Sequence, residues 1–168
     1  MALEIERKFL VRDASWRASA TGSERILQGY FARTPLLRAR IRIYGDKGYI
    51  TLKGEPGMLV RHEFEYEIPK ADAVEMIKHF SLEPIVTKMR YEVPFSGVVW
   101  AVDVFEGANK GLVIAEAELK SVDQKLALPP WAGREVTNDH RYGNSNLARY
   151  PFVSWDKNGN PPLEKADA

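Results

Sequence analysis

In several segments of this chain, charged and apolar residues alternate one for one, and within a segment the charges tend to share a sign. Arg38, Arg40 and Arg42 alternate with Ala39, Ile41 and Ile43, and Glu63, Glu65 and Glu67 alternate with Phe64, Tyr66 and Ile68. Successive side chains of a strand point to opposite faces, so such segments are strands with one charged and one apolar face. The pattern recurs with Glu4, Glu6 and Lys8, with Lys88, Arg90 and Glu92, with Asp103, and with Glu116, Glu118 and Lys120. Together with Lys53, these faces carry nine acidic and eight basic residues.

A sheet with its apolar side buried and its charged side in water accounts for any one of these strands. It accounts poorly for the set. Hydrated faces mix signs for solubility, whereas here like charges sit at i and i+2, close enough to repel. Glutamate rows suit hard cations, and Arg/Lys rows suit phosphate or carboxylate. A cavity holding both suits a polyanion bound together with metal ions. Periodicity alone leaves open whether the charged rows face inward or outward.

Eight strands are predicted, near 3–10, 26–33, 37–44, 48–53, 60–68, 85–93, 98–106 and 112–120. Turn signals separate them at Gly45-Asp46-Lys47-Gly48, Gly54-Glu55-Pro56-Gly57, Pro94-Phe95-Ser96-Gly97 and Gly107-Ala108-Asn109. Lys70–Phe80 spaces Ala73, Val74, Ile77 and Phe80 as a short amphipathic helix. Ser121–Leu128 reads as a second helix, with Ser121 as cap and Pro129-Pro130 as stop, and a third begins near Asn144 and carries Leu147 and Ala148. The expected fold is mainly β (α+β): an eight-stranded antiparallel barrel with a few short helices packed outside. Residues 1–155 read as a single domain, and 156–168 as a flexible tail.

The 168 residues carry a net charge of +1, with no basic excess of the kind a nucleic-acid partner demands. The absence of cysteine excludes a disulfide scaffold, a thiolate zinc site and a thiol nucleophile. No stretch approaches the roughly 18 apolar residues of a membrane helix, and the acidic start is unlike a signal peptide. A cytoplasmic protein with no membrane partner is expected, and nothing indicates a homodimer.

Glu4-Ile5-Glu6-Arg7-Lys8 matches ExExK, the signature of the CYTH family of triphosphate tunnel metalloenzymes. Further motifs follow in order. Gln28-Gly29-Tyr30 resembles the family's QGY, Arg40-Ile41-Arg42 its RxR, Thr51-Leu52-Lys53 its TLK and Arg61–Glu65 its RxExE. Lys88–Tyr91 resembles KxRY, Asp103–Phe105 DxF, Glu116-Ala117-Glu118 a second ExE, and Glu135–Ala148 the closing EVTxDxRYxNxxLA. The resemblance implies a hydrophilic tunnel in which Lys8, Arg40, Arg42, Lys53, Lys88 and Arg90 bind triphosphate. It implies that Glu4, Glu6, Glu63, Glu65, Asp103, Glu116 and Glu118 hold Mg2+ or Mn2+, with Glu4, Glu6 and Lys8 as the catalytic group.

The motif pattern is most similar to bacterial stand-alone enzymes that hydrolyse inorganic tripolyphosphate. Hydrolysis of thiamine or nucleoside triphosphates, cyclisation of ATP as in class IV adenylyl cyclases, and polyphosphate binding without catalysis are the alternatives. Arg38 and Glu67 share the charged faces but fall outside the motifs. Arg7 belongs to the opposite face of its strand. His62, His79 and His140 are too widely spaced for a local metal pair and read as surface or turn residues. Arg141 either contacts substrate or pairs with Glu135 or Asp139.

Overall fold

A computed structural model describes residues 3–54, 59–82 and 84–162. The alternating segments form β1 (Leu3–Val11), β2 (Gly22–Arg33), β3 (Arg38–Tyr44), β4 (Lys47–Lys53), β5 (Val60–Ile68), β6 (Val86–Phe95), β7 (Val98–Phe105) and β8 (Val113–Glu118). A ninth strand, β9 (Ala132–Glu135), was not foreseen; four residues without alternation carry no periodic signal. β2 begins earlier than expected because Gly22–Arg25, although polar, pairs with Met89–Glu92 of β6.

Every neighbour is antiparallel. The order is β5-β4-β3-β2-β6-β7-β8-β1, and pairing of β1 with β5 closes the eight strands into a barrel. β1 makes the closure by dividing one edge between two partners. Leu3–Ile5 pair with β5, and Phe9 and Val11 pair with β9, while Glu6–Leu10 pair with β8 on the other edge. Two-residue turns join β3 to β4 and β6 to β7. At the second of these, Ser96 and Gly97 both have positive φ (49° and 81°), matching the right-handed twist of the flanking strands. The predicted Gly54–Gly57 turn lies largely outside the described residues.

The outward face holds most of the apolar packing. Phe9, Val93, Trp100, Val102, Ala115 and Ala117 form one cluster beneath Trp16, on a short 3-10 helix at Ser15–Ser19, and Trp131. Trp100 meets Phe9 and Trp131 edge-on, at centroid distances of 5.5 and 5.6 Å. A second cluster lies under α1 (Lys70–Phe80), whose Ala73, Met76 and Ile77 pack on Ile41 and Ile43. The predicted helix is present, but Val74 and Phe80 are exposed and Met76 takes their place. Gly48 sets the closeness of the contact: a Cβ there would lie 2.7 Å from that of Ala73.

The helix expected at Ser121–Leu128 does not form. A single turn closes it, Gln124 donating its amide to the Ser121 carbonyl at 3.2 Å, and the chain then runs on so that Leu126 packs against the tryptophan cluster. Eight residues are too few for a helix to persist without tertiary support. The helix expected near Asn144 is α2 (Asn144–Arg149). Residues Asp156–Asn160 form a turn in which the Asp156 carboxylate accepts from the amides of Asn158 and Asn160. Among the described residues, no helix is long and apolar enough to cross a membrane.

At one end of the barrel the inward face turns apolar. Register places Phe105 opposite Lys88 and Ile114 opposite Asp103, and both join Tyr30, Val86, Leu147 and Ala148 in a third cluster. This cluster seats α2 against the barrel. Leu147→Ala should therefore cost about 2–5 kcal/mol, read as a lower urea midpoint at unchanged slope. Leu36→Ala, at a residue 77 % exposed, should stay within about 0.5 kcal/mol.

Candidate active site

Barrel closure decides the orientation that the alternation left open. The cross-strand partners Lys8 and Glu116, Glu6 and Glu118, Glu4 and Arg61, Lys53 and Glu63, and Thr51 and Glu65 lie side by side on the inner wall. They bound a cavity of about 430 Å³. Twelve of the thirteen predicted site residues line it: Glu4, Glu6, Lys8, Arg40, Arg42, Lys53, Glu63, Glu65, Lys88, Arg90, Glu116 and Glu118. Asp103 does not; it is on the same inward face but fully buried beneath Lys88 and Arg90, next to the apolar end of the barrel.

The acidic groups fall into two kinds. Glu4 accepts from Lys53 at 3.0 Å and from Arg61 Nε at 2.8 Å. Burial alone would raise its carboxyl, but these two cations override it and hold it down at about 2. Glu116 lies 3.4 Å from Lys8 and 3.0 Å from Arg90, which against burial hold it well below the usual carboxylate range. Glu65 is lowered despite burial by Arg42, at 3.0 Å, and by the Thr51 hydroxyl, at 2.7 Å. Glu63 pairs with Lys53 at 2.9 Å.

Glu6 differs. Its nearest cation, Arg61, is 4.0 Å away. Burial, with repulsion from Glu116 and Glu4, pushes its carboxyl up to about 7. Glu118, opposite it on β8, is raised by burial and by Glu4 and Glu63. Repulsion expected along the whole acidic row is thus concentrated on these two residues, because register supplies the other carboxylates with cations.

On the basic side Arg40 is only 5 % exposed, yet its ion pair with Glu65 is 3.9 Å long and its Nε has no hydrogen-bond partner. Arg42 Nε is likewise unpartnered. Burial pushes the Lys88 ammonium down to about 8 in spite of Asp103. Buried guanidinium groups short of partners are costly, and a bound anion would complete them.

Other wall residues were not singled out from sequence. Arg61 occupies the inward position two before Glu63, a place the alternation itself marks. Tyr30, Asn144 and His140 also line the cavity, the last two from the segment around α2. No local pattern identifies Asn144 and His140, which reach the wall by tertiary packing, whereas Tyr30 is an inward position of β2 opposite Arg40. His79 instead pairs with Glu75 on the surface of α1. Arg38 lines the cavity while donating to the Thr34 and Leu37 carbonyls, whereas Glu67 pairs with Lys47 at the exposed end of its strand. Arg7 lies on the outer face and grips Glu135 at 2.8 and 2.7 Å. Arg141 pairs with Asp139 at 2.6 Å and donates to the Gly159 carbonyl at 2.8 Å.

No three carboxylates among the described residues form a ready-made metal cluster. The donor set nonetheless fits a hard divalent cation, which takes oxygen ligands and would relieve the repulsion focused on Glu6 and Glu118.

Comparison with known proteins agrees with this geometry. Residues 2–150 match the CYTH domain. The chain is 43 % identical over 157 residues to an inorganic triphosphatase of Acetivibrio thermocellus, covering 92 % of this chain and 99 % of that protein. It is 38 % identical over 150 residues to an inorganic triphosphatase of Nitrosomonas europaea, covering 86 % and 96 %. The crystal structure of an inorganic triphosphatase superposes with a TM-score of 0.62 at 35 % identity, covering 88 % of this chain and 95 % of that one. A putative adenylyl cyclase from Hippeastrum, 16 % identical, shares the fold at a TM-score of 0.52, covering 70 % and 80 %. The charged cavity, the ordered motifs and these relatives converge: the chain belongs to the CYTH family.

Proposed function

We propose that this protein hydrolyses inorganic tripolyphosphate to pyrophosphate and phosphate inside the barrel, in a reaction that depends on Mg2+ or Mn2+. The observation that carries this reading is the presence, within one enclosed cavity, of a buried and under-partnered Arg40 together with Glu6 and Glu118, each pushed up by burial and by neighbouring carboxylates. A polyanion satisfies the first and its counter-cations satisfy the second. The two relatives of about 40 % identity, both inorganic triphosphatases over almost their whole length, support the same substrate.

Phosphoryl transfer asks a protein mainly for positioning and charge neutralisation. Arg40 and Arg42 fork onto phosphate oxygens, while Lys8 and Lys88 add point charges. Glu4, Glu6, Glu63, Glu65, Glu116 and Glu118 are the oxygen donors available to the cations. When bound, divalent ions neutralise the phosphate chain and supply a polarised water for attack on a terminal phosphorus. The enclosed wall keeps bulk water from screening these charges. Lys53 bridges Glu4, at 3.0 Å, and Glu63, at 2.9 Å, and so ties the two carboxylates together.

Phosphate release from tripolyphosphate, pyrophosphate, ATP and thiamine triphosphate, with cyclic AMP assayed alongside, tests the reading. Tripolyphosphate should be the fastest substrate, and excess EDTA should abolish turnover. Cyclic AMP as the main product from ATP, or turnover that persists in EDTA, would overturn it. Binding of tripolyphosphate without turnover would reduce the protein to a polyphosphate-binding module.

Arg40→Ala should weaken tripolyphosphate binding by about 1.5–3 kcal/mol, the worth of charge-assisted hydrogen bonds. Arg7→Ala, which breaks the outer pair with Glu135 and a stacking contact on Phe9, should leave binding unchanged. Titration calorimetry of the two variants reads both effects.

Glu6 makes the metal-free protein sensitive to pH. Its folded-state carboxyl, near 7, lies above its unfolded value, so its contribution to stability is favourable at acid pH and is lost as pH rises towards 7. Glu6→Gln removes that loss. In EDTA the variant should melt above wild type at pH 7.5, and the difference should shrink on acidification and vanish near pH 4. A lower melting temperature for the variant at pH 7.5 would contradict the repulsion assigned to Glu6.

A further inference from the structure

Asp103 is the one predicted site acid that does not line the cavity, and its surroundings point to another task. β7 brings it opposite Arg90 of β6 and Ile114 of β8, where it is 0 % exposed. Its Oδ2 accepts from Lys88 Nζ at 2.5 Å and from Arg90 Nη2 at 2.8 Å, and its Oδ1 accepts from Arg90 Nε at 2.7 Å. Both oxygens are engaged by cations, whereas a metal ligand must present an oxygen to the ion.

The donors left over on the two cations are informative. Lys88 spends a second N–H on the Asn144 side-chain oxygen, at 3.3 Å. That leaves one of its three. Arg90 spends Nε on Asp103 and Nη2 on Asp103 and Glu116, the latter at 3.0 Å. Its Nη1 has no partner among the described residues. Both side chains line the cavity.

We propose that Asp103 is a positioning residue of the phosphate site: it clamps Lys88 and Arg90 side by side, so that the remaining Lys88 N–H and Arg90 Nη1 serve one phosphate group of the substrate together. Two adjacent cations repel, and a buried carboxylate bonded to both holds them in place. The clamp also fixes their rotamers before substrate arrives, which lowers the ordering cost of binding. This inference rests on the reading of the cavity as a tripolyphosphate site.

Asp103→Asn tests it, because the amide keeps the shape while losing the charge and one acceptor. Titration calorimetry with tripolyphosphate in EDTA reads the clamp without metal. The dissociation constant should rise about tenfold or more, and KM should rise more than kcat falls. At saturating tripolyphosphate, the Mg2+ concentration for half-maximal rate should stay within about twofold of wild type. An unchanged metal-free dissociation constant overturns the proposal. So does an increased Mg2+ requirement with that constant intact, which would make Asp103 a metal ligand.

A second pair of variants guards against misfolding, since Asp103→Asn alone leaves the buried Lys88 without its carboxylate. In Lys88→Met that burden is gone. Adding Asp103→Asn to Lys88→Met should weaken metal-free binding further, through Arg90, and equal binding by the two would contradict the clamp. If wild type itself fails to bind tripolyphosphate, the proposed function fails first and the clamp falls with it. If wild type binds and hydrolyses tripolyphosphate while Asp103→Asn binds it equally well, only the clamp is lost.

Discussion

Burial of nearly balanced charge inside a closed barrel is the constraint on which the rest of this structure depends. A lone ion moved from water into a protein interior costs several kcal/mol even after relaxation. Antiparallel register meets that cost by setting acid against base across the wall: Lys8 faces Glu116, Lys53 faces Glu63, Arg90 faces Asp103 and Glu4 faces Arg61. A one-residue slip of any strand would turn its charges outward and its apolar residues in. The polar interior therefore demands its register as strictly as an apolar core would.

Stability has to come largely from elsewhere. The tryptophan cluster around Trp100 and the contact of α1 with β3 lie on the outer face, and the third cluster lies where the inner face turns apolar. The barrel is in this sense inverted, with apolar packing outside the sheet and charge within. Helix α1 and the segments carrying Trp16 and Trp131 are the covers that keep the outward apolar rows from water. α2 has a double part, since Leu147 and Ala148 anchor it while Asn144 reaches the cavity wall.

Charge balance inside is incomplete, and the departures are where chemistry can occur. Arg40 keeps a donor in reserve, Glu6 is repelled by Glu116 and Glu4, and Glu118 by Glu4 and Glu63. Sites built for a charged ligand commonly trade stability for function in this way. The paired residues set the frame for the unpaired ones. Lys53, held by Glu4 and Glu63, and the Asp103 triad with Lys88 and Arg90 are fixed before any ligand arrives.

Periodicity in the sequence was enough to determine the eight barrel strands, the helix at Lys70–Phe80 and which strand residues share a face, because the two-residue period of a strand and the 3.6-residue period of a helix are local properties of the backbone. The ordered motifs added the family and twelve wall residues. Local pattern was silent wherever a partner distant in sequence decides the conformation. β9 pairs with the edge of β1 past Ile5, and Ser121–Leu128 makes one turn and no helix, with Leu126 packed against the tryptophan cluster. The same limit applied to charge. Sequence counted Glu6, Glu116 and Asp103 as equivalent acids, yet their environments differ completely. Only the folded barrel, by choosing each carboxylate's neighbours, left Glu6 repelled, neutralised Glu116 and sealed Asp103 behind two cations; electrostatic energy depends on distance and burial, neither of which is written along a chain.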